Sequence, residues 1–209
     1  MARLLYIESS PRKDRSSSIQ IARVFIEEYK KKNPKDVVDT LDLWRTELPR
    51  FDGDVIDAKY AILHGDEHTK RQDDAWYPVE KIINNFVKAD KFLFSVPMWN
   101  FGIPYVLKHY LDVLIQPTYT FSFSPKDGYK GLVTGKPVVA IYARGGSYGS
   151  GSGAESFDHQ KTYLELALGF IGFSNIRSII VEPTLSSPEK KDQVLDKAKK
   201  EAIKIISDF

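Results

Sequence analysis

The sequence predicts an α/β fold: a doubly wound, five-stranded parallel sheet in the order 2-1-3-4-5, with helices on both faces. Short apolar runs at Leu4 to Ile7, Lys91 to Val96 and Pro137 to Ala143 read as strands buried on both sides. Segments with helical spacing alternate with them, as the crossovers between parallel strands require. The 209 residues suffice for one continuous core, and no repeat or linker interrupts them. Residues 1–209 are therefore expected to form a single domain.

In chain order, Leu4 to Ile7 is strand one, halted by Ser9-Ser10-Pro11. A helix is expected from Ser16, with apolar positions from Ile19 to Tyr29, ending at Lys30-Lys31-Lys32-Asn33-Pro34, where basic residues and a trailing proline suit a C-terminus. Val37 to Leu43 alternates apolar and acidic residues and reads as an edge strand. A largely helical stretch then runs to Val87. Lys91 to Val96 and Pro137 to Ala143 are the central strands. Between them lie a helix over Tyr105 to Ile115 and an aromatic-rich hairpin or lid beginning at Tyr119. Phe157 to Phe170 reads as a helix, Ile176 to Val181 as the last strand, and Pro188 to Phe209 as a closing helix with a lysine-rich outer face.

Composition narrows the chemistry. Lys and Arg total 30 against 28 Asp and Glu, too even a balance to draw the chain onto nucleic acid. There is no cysteine, which removes thiolate catalysis, disulfides and iron–sulfur ligation. His64 and His68 lie four apart beside Asp66 and Glu67, and an exposed face is expected there rather than a metal site. No Gly-x-Ser-x-Gly elbow marks a serine hydrolase. The opening apolar stretch is too short for a signal-peptide core or a membrane span, so the expected location is the cytoplasm, with no membrane partner.

Three unusual loops fall on the three strands that the predicted order makes neighbours, where a ligand belongs at the strands' C-terminal ends. After strand one, Ser9-Ser10-Pro11-Arg12-Lys13-Asp14-Arg15-Ser16-Ser17-Ser18 runs into a helix N-terminus, where hydroxyls and free N–H groups favour an anion. Without Gly-x-Gly-x-x-Gly or Gly-Lys-Ser/Thr, a terminal phosphate such as that of FMN fits better than a pyrophosphate. Taken alone, the loop also reads as a serine-capped helix start. After strand three, Pro97-Met98-Trp99-Asn100-Phe101-Gly102-Ile103-Pro104 offers apolar rings around one amide, a surface for a flat amphipathic ring. After strand four, Ala143-Arg144-Gly145-Gly146-Ser147-Tyr148 brings backbone N–H groups close to a ligand, suited to negative charge at a flavin edge.

On these loops, with Gly131 to Lys136 and Leu168 to Gly172, the sequence resembles the FMN-dependent NADH-azoreductase family, whose members also act as NAD(P)H:quinone reductases on a flavodoxin-like fold. The resemblance covers essentially the whole chain. It implies that Ser10, Ser16, Ser17 and Ser18 hold the FMN phosphate, and that Met98, Trp99, Asn100 and Phe101, with Ala143, Arg144, Gly145 and Gly146, surround the isoalloxazine. Trp99 stands where many relatives have Tyr, and Ala143 replaces a common Ser. Phe123, Tyr148 and Phe170 fall where relatives line the substrate entrance, partly from a second subunit. The implied activity is ping-pong transfer of electron pairs from NADH or NADPH to quinones and azo compounds, in a homodimer with active sites at its interface. No side chain is named as catalytic acid or base, because the flavin carries the hydride. The alternative is a flavodoxin-like module without catalysis, either binding or electron-carrying. Carriers tend to be strongly acidic, whereas this chain carries +2.

Overall fold

A computed structural model describes residues 1–209. In chain order the elements are β1 (Arg3–Glu8), α1 (Ser17–Lys32), β2 (Val37–Asp42), α2 (Gly53–His64), α3 (Lys70–Val87), β3 (Lys91–Pro97), α4 (Tyr105–Leu114), β4 (Phe121–Ser124), β5 (Gly128–Gly131), β6 (Val138–Ala143), α5 (Lys161–Phe170), β7 (Ile176–Val181) and α6 (Pro188–Ile206). Five strands pair in parallel in the order β2-β1-β3-β6-β7. This is the predicted 2-1-3-4-5 sheet. β4 and β5 form a separate antiparallel hairpin, which resolves the choice between hairpin and lid.

Alternation along the central strands divides the core in two, because successive side chains leave a strand on opposite faces. Leu4, Tyr6, Leu93, Val139 and Ile141 pack under α1 and α6, against Phe25, Tyr29, Leu195 and Ala198. Leu5, Ile7, Phe92, Phe94, Ala140 and Tyr142 face the other way, onto α2 through α5. All six residues of β6 are buried. β2 has none fully buried, as an edge strand should.

Three boundaries differ from the sequence reading. The helical stretch before Val87 is two helices: Gly65 ends α2 in the left-handed region, and Thr69 with Gln72 forms a capping box that starts α3. The helix expected from Phe157 begins at Lys161, because the Asp158 carboxylate accepts the Lys161 N–H at 3.0 Å and residues 155–157 form one 3₁₀ turn. A similar turn over Lys13–Arg15 precedes α1, which starts at Ser17.

Candidate active site

The carboxyl ends of β1, β3 and β6 lie side by side, and their loops surround a cleft of about 400 Å³. Ser10, Arg12, Ser16 and Ser17 line one part of it. The Ser9 hydroxyl donates to the Ser95 carbonyl at 2.7 Å, fixing the loop to β3. Lys13 sits in the left-handed region at φ 48, its ammonium bridging the Glu8 and Asp42 carboxylates. Burial opposes that positive charge, but its hydrogen bonds to the Asp42 and Glu8 carboxylates outweigh this and leave the lysine's pKa above the ordinary value. Ser16, the N-cap of α1, spends no side-chain hydrogen bond on capping. The orphan N–H groups of the first turn are thus left to an external acceptor.

The loop after β3 forms a second wall. Trp99 and Gly102 exchange N–H···O bonds at 2.9 Å in both directions, closing a two-residue turn in which Asn100 (φ 47) and Phe101 (φ 70) are both left-handed. Asn enters this region readily, while Phe does so at a cost of about 1–3 kcal/mol. The Phe101 ring leans on Phe157 at 5.4 Å and meets Tyr148 edge-on at 6.5 Å. Trp99 packs against Trp44 and Tyr105. Trp44 also donates its indole N–H to the Ser9 carbonyl at 3.0 Å, linking the aromatic wall to the serine loop.

Ala143, Gly145 and Gly146 supply the third wall. Arg144, between them, turns away: its side chain is 2% exposed and lies against Asp158 and Glu182. A buried guanidinium requires such partners, which accounts for its absence from the cleft lining. Thr184 and Leu185, from the loop after β7, complete the rim. Leu185 sits directly over Gly145, where a Cβ would come within 2.8 Å of its Cδ1.

The cleft therefore brings together Ser10, Ser16, Ser17, Met98, Trp99, Asn100, Phe101, Ala143, Gly145, Gly146 and Tyr148. It does not include Ser18, which is buried with its hydroxyl 3.1 Å from that of Ser16. Phe123 and Phe170 lie elsewhere in this chain, on an exposed aromatic cluster with Phe121 and Tyr129. His68 is occupied by Asp73 and the Ala58 carbonyl.

Sequence reasoning did not single out Arg12, Pro97, Thr184, Leu185 or Trp44. Arg12 stood within the serine loop, and a cationic side chain among hydroxyls suited to an anion was the available signal. Thr184 and Leu185 carried none, because their role depends on β7 lying beside β6.

The donor set suits FMN. Hydroxyls, an uncapped helix N-terminus and one arginine match a phosphate dianion, while indole, phenyl and diglycine surfaces match a flat ring with a polar edge. No lining residue is acidic.

Comparison with known proteins agrees. A family described by its flavodoxin-like fold matches residues 2–206. The FMN-dependent NADH:quinone oxidoreductase of Desulfotalea psychrophila is 50% identical over 209 residues, covering 100% of this chain and 98% of that protein. Among solved structures, an azoreductase from Bacillus anthracis superposes with a TM-score of 0.91 at 30% identity over the full length of both chains. An FMN-dependent NADH-azoreductase from the same species, solved with FMN, gives 0.88 at 25% identity, covering 99% of this chain and 98% of that one. With a serine-lined turn and an aromatic loop on one cleft, and half its residues shared with such an enzyme along its whole length, the chain belongs to the flavodoxin-like family of FMN-dependent NADH:quinone oxidoreductases.

Proposed function

We propose that residues 1–209 act as one FMN-binding domain that oxidises NADH, or NADPH, and reduces quinones and azo compounds. The observation that carries this reading is the single cleft in which Ser10, Ser16 and Ser17 and the loop of Trp99 and Phe101 all take part. FMN, when bound, would supply the two-electron chemistry between the nicotinamide and the acceptor.

The protein's own residues bind and orient. Ser10, Ser16, Ser17 and the first turn of α1 would hold the phosphate, and Arg12 would add a positive charge beside them. Met98 to Phe101 would present apolar area to the ring, and the backbone N–H groups of Gly145 and Gly146 would serve its polar edge. A quinone takes up two electrons and two protons. Complete cleavage of an azo bond to two amines takes twice that, and hence two nicotinamides. No lining side chain is placed as a dedicated acid, so solvent supplies the protons.

We further propose that the working form is a cytoplasmic homodimer. No helix is long and apolar enough to cross a membrane, and Phe123, Tyr129 and Phe170 form an exposed aromatic cluster of the kind that a second copy covers. The deciding experiment is spectroscopic. The purified protein is expected to show a flavin spectrum that bleaches on anaerobic addition of NADH and returns with menadione. A protein that neither carries nor takes up FMN refutes the enzyme reading, and one that binds FMN without turnover supports the non-catalytic alternative.

A further inference from the structure

Arg144 belongs to a buried ionic group that no step of the proposed reaction uses. Its Nη2 lies 2.8 Å from Asp158 Oδ2 and its Nη1 3.3 Å from Glu182 Oε2. Its Nε donates to Gln160 Oε1 at 2.9 Å, and Gln160 Nε2 donates to the Val96 carbonyl at 2.9 Å. One guanidinium thereby joins the ends of β3, β6 and β7 to the start of α5.

Glu182 reaches beyond this group toward the cleft. Its Oε2 also accepts the Tyr148 N–H at 3.1 Å, and its Oε1 accepts the Gly149 N–H at 3.2 Å. The two consecutive N–H groups are held by the two oxygens of one carboxylate, which shares the Arg144 guanidinium with Asp158. Tyr148 lines the cleft, with its ring beside Gly146 and edge-on to Phe101. Position 149 has little room: a Cβ there would lie 3.1 Å from Glu182 Oε1.

We propose that Glu182 is a positioning residue for the acceptor. Held by Arg144, it fixes the backbone of Tyr148 and Gly149 and so sets the Tyr148 ring at the lip where the acceptor enters. The proposal rests on the reading of this cleft as the flavin site. Nothing in the Glu182 contacts touches the serine loop, so the larger effect falls on the acceptor and the smaller on FMN retention.

The test compares Glu182→Ala, Glu182→Gln, Tyr148→Ala and the Glu182→Ala/Tyr148→Ala double variant as FMN-loaded proteins. FMN dissociation is measured by flavin fluorescence, and KM and kcat with menadione and with an azo dye. Losing two hydrogen bonds to a charged acceptor is expected to raise the azo-dye KM of Glu182→Ala by about tenfold. FMN affinity should stay within about threefold of the parent. Glu182→Gln, which keeps one acceptor oxygen, is expected to fall between. The double variant should be no worse than Tyr148→Ala alone, since both changes remove the same placement.

Should Glu182→Ala fail to fold, Gly149→Ala leaves every charge in place and presses a methyl against the carboxylate, and the same rise in KM is expected. Additive effects in the double variant, or an unchanged KM in both Glu182→Ala and Gly149→Ala, overturn the proposal. A parent protein that binds no FMN is a separate result and overturns the reading of the cleft itself.

Discussion

The Lys13 ammonium lies 2.5 Å from Glu8 Oε1, so the loop that follows β1 is tied back to the last residue of that strand. The same nitrogen is 2.6 Å from Asp42 Oδ2 at the end of β2. Lys13 adopts φ 48, which an L residue holds only when its surroundings over-determine it. The clamp thus shapes the turn that delivers Ser16 and Ser17 to the cleft.

Replacing Lys13 by Met is expected to weaken FMN binding by about tenfold through lost preorganisation, read by equilibrium titration of the apoprotein. The lysine's pKa is raised in the folded state. Its contribution to stability is therefore fully present below the ordinary value of 10.5 and fades as the pH climbs through the raised one. The difference in Tm between parent and Lys13→Met should hold constant from neutral pH upward and shrink only above that value. A gap that closes near neutrality contradicts the assignment.

Arg12 is the only charged side chain lining the cleft, and no ion pair occupies it. Paired with a phosphate dianion, it should matter for FMN and not for riboflavin. Arg12→Ala is expected to weaken FMN binding by about tenfold and leave riboflavin affinity unchanged. Equal losses for both flavins count against it.

The serine run shows what was legible in the sequence and what was not. That hydroxyls would gather at the start of the first helix could be read from the serines crowded before a helical pattern. Which of them line the cleft could not, because that depends on the 3₁₀ turn at Lys13–Arg15 that precedes the start of α1 at Ser17. The apolar runs marked β1, β3 and β6 as buried strands for a similar reason of scale, since burial on both faces concerns whole segments, whereas the strand order followed from the fold class. Arg144 was expected at the cleft and lies behind it because a motif records adjacency, and adjacent residues on an extended segment point to opposite sides.

Ser17 and Ser18 are therefore expected to separate. Ser17→Ala, at the cleft, should lower FMN affinity by about fivefold with an unchanged Tm. Ser18→Ala removes the buried contact with Ser16 and should cost about 1 kcal/mol of stability, with a smaller effect on FMN. Thermal melts of the two apoproteins beside flavin titrations distinguish them, and the reverse pattern would place Ser18 at the phosphate.

Phe101 combines a costly backbone with a half-exposed ring. Phe101→Gly relieves left-handed strain of about 1–3 kcal/mol and gives up ring contacts to Phe157 and Tyr148. The apoprotein should be at least as stable as the parent in urea, while flavin binding and acceptor turnover fall. A clear loss of apoprotein stability would show that the ring serves the fold and not the site.

The hairpin of β4 and β5 presents aromatic rings to solvent. Two paired strands are marginal alone, yet Phe123 and Tyr129 on this pair are 55% and 66% exposed, with ring centroids 4.9 Å apart. Water is a poor partner for such rings, and a second copy would cover them without requiring a new fold. Light scattering is expected to give twice the 23.8 kDa of one chain, and Phe123→Asp to shift the mass toward one. If the partner's hairpin also completes the entrance, the monomer should keep its FMN, since the serine loop is untouched, and lose acceptor turnover. A monomer with full turnover would confine the site to one chain, and the aromatic hairpin would then serve association alone.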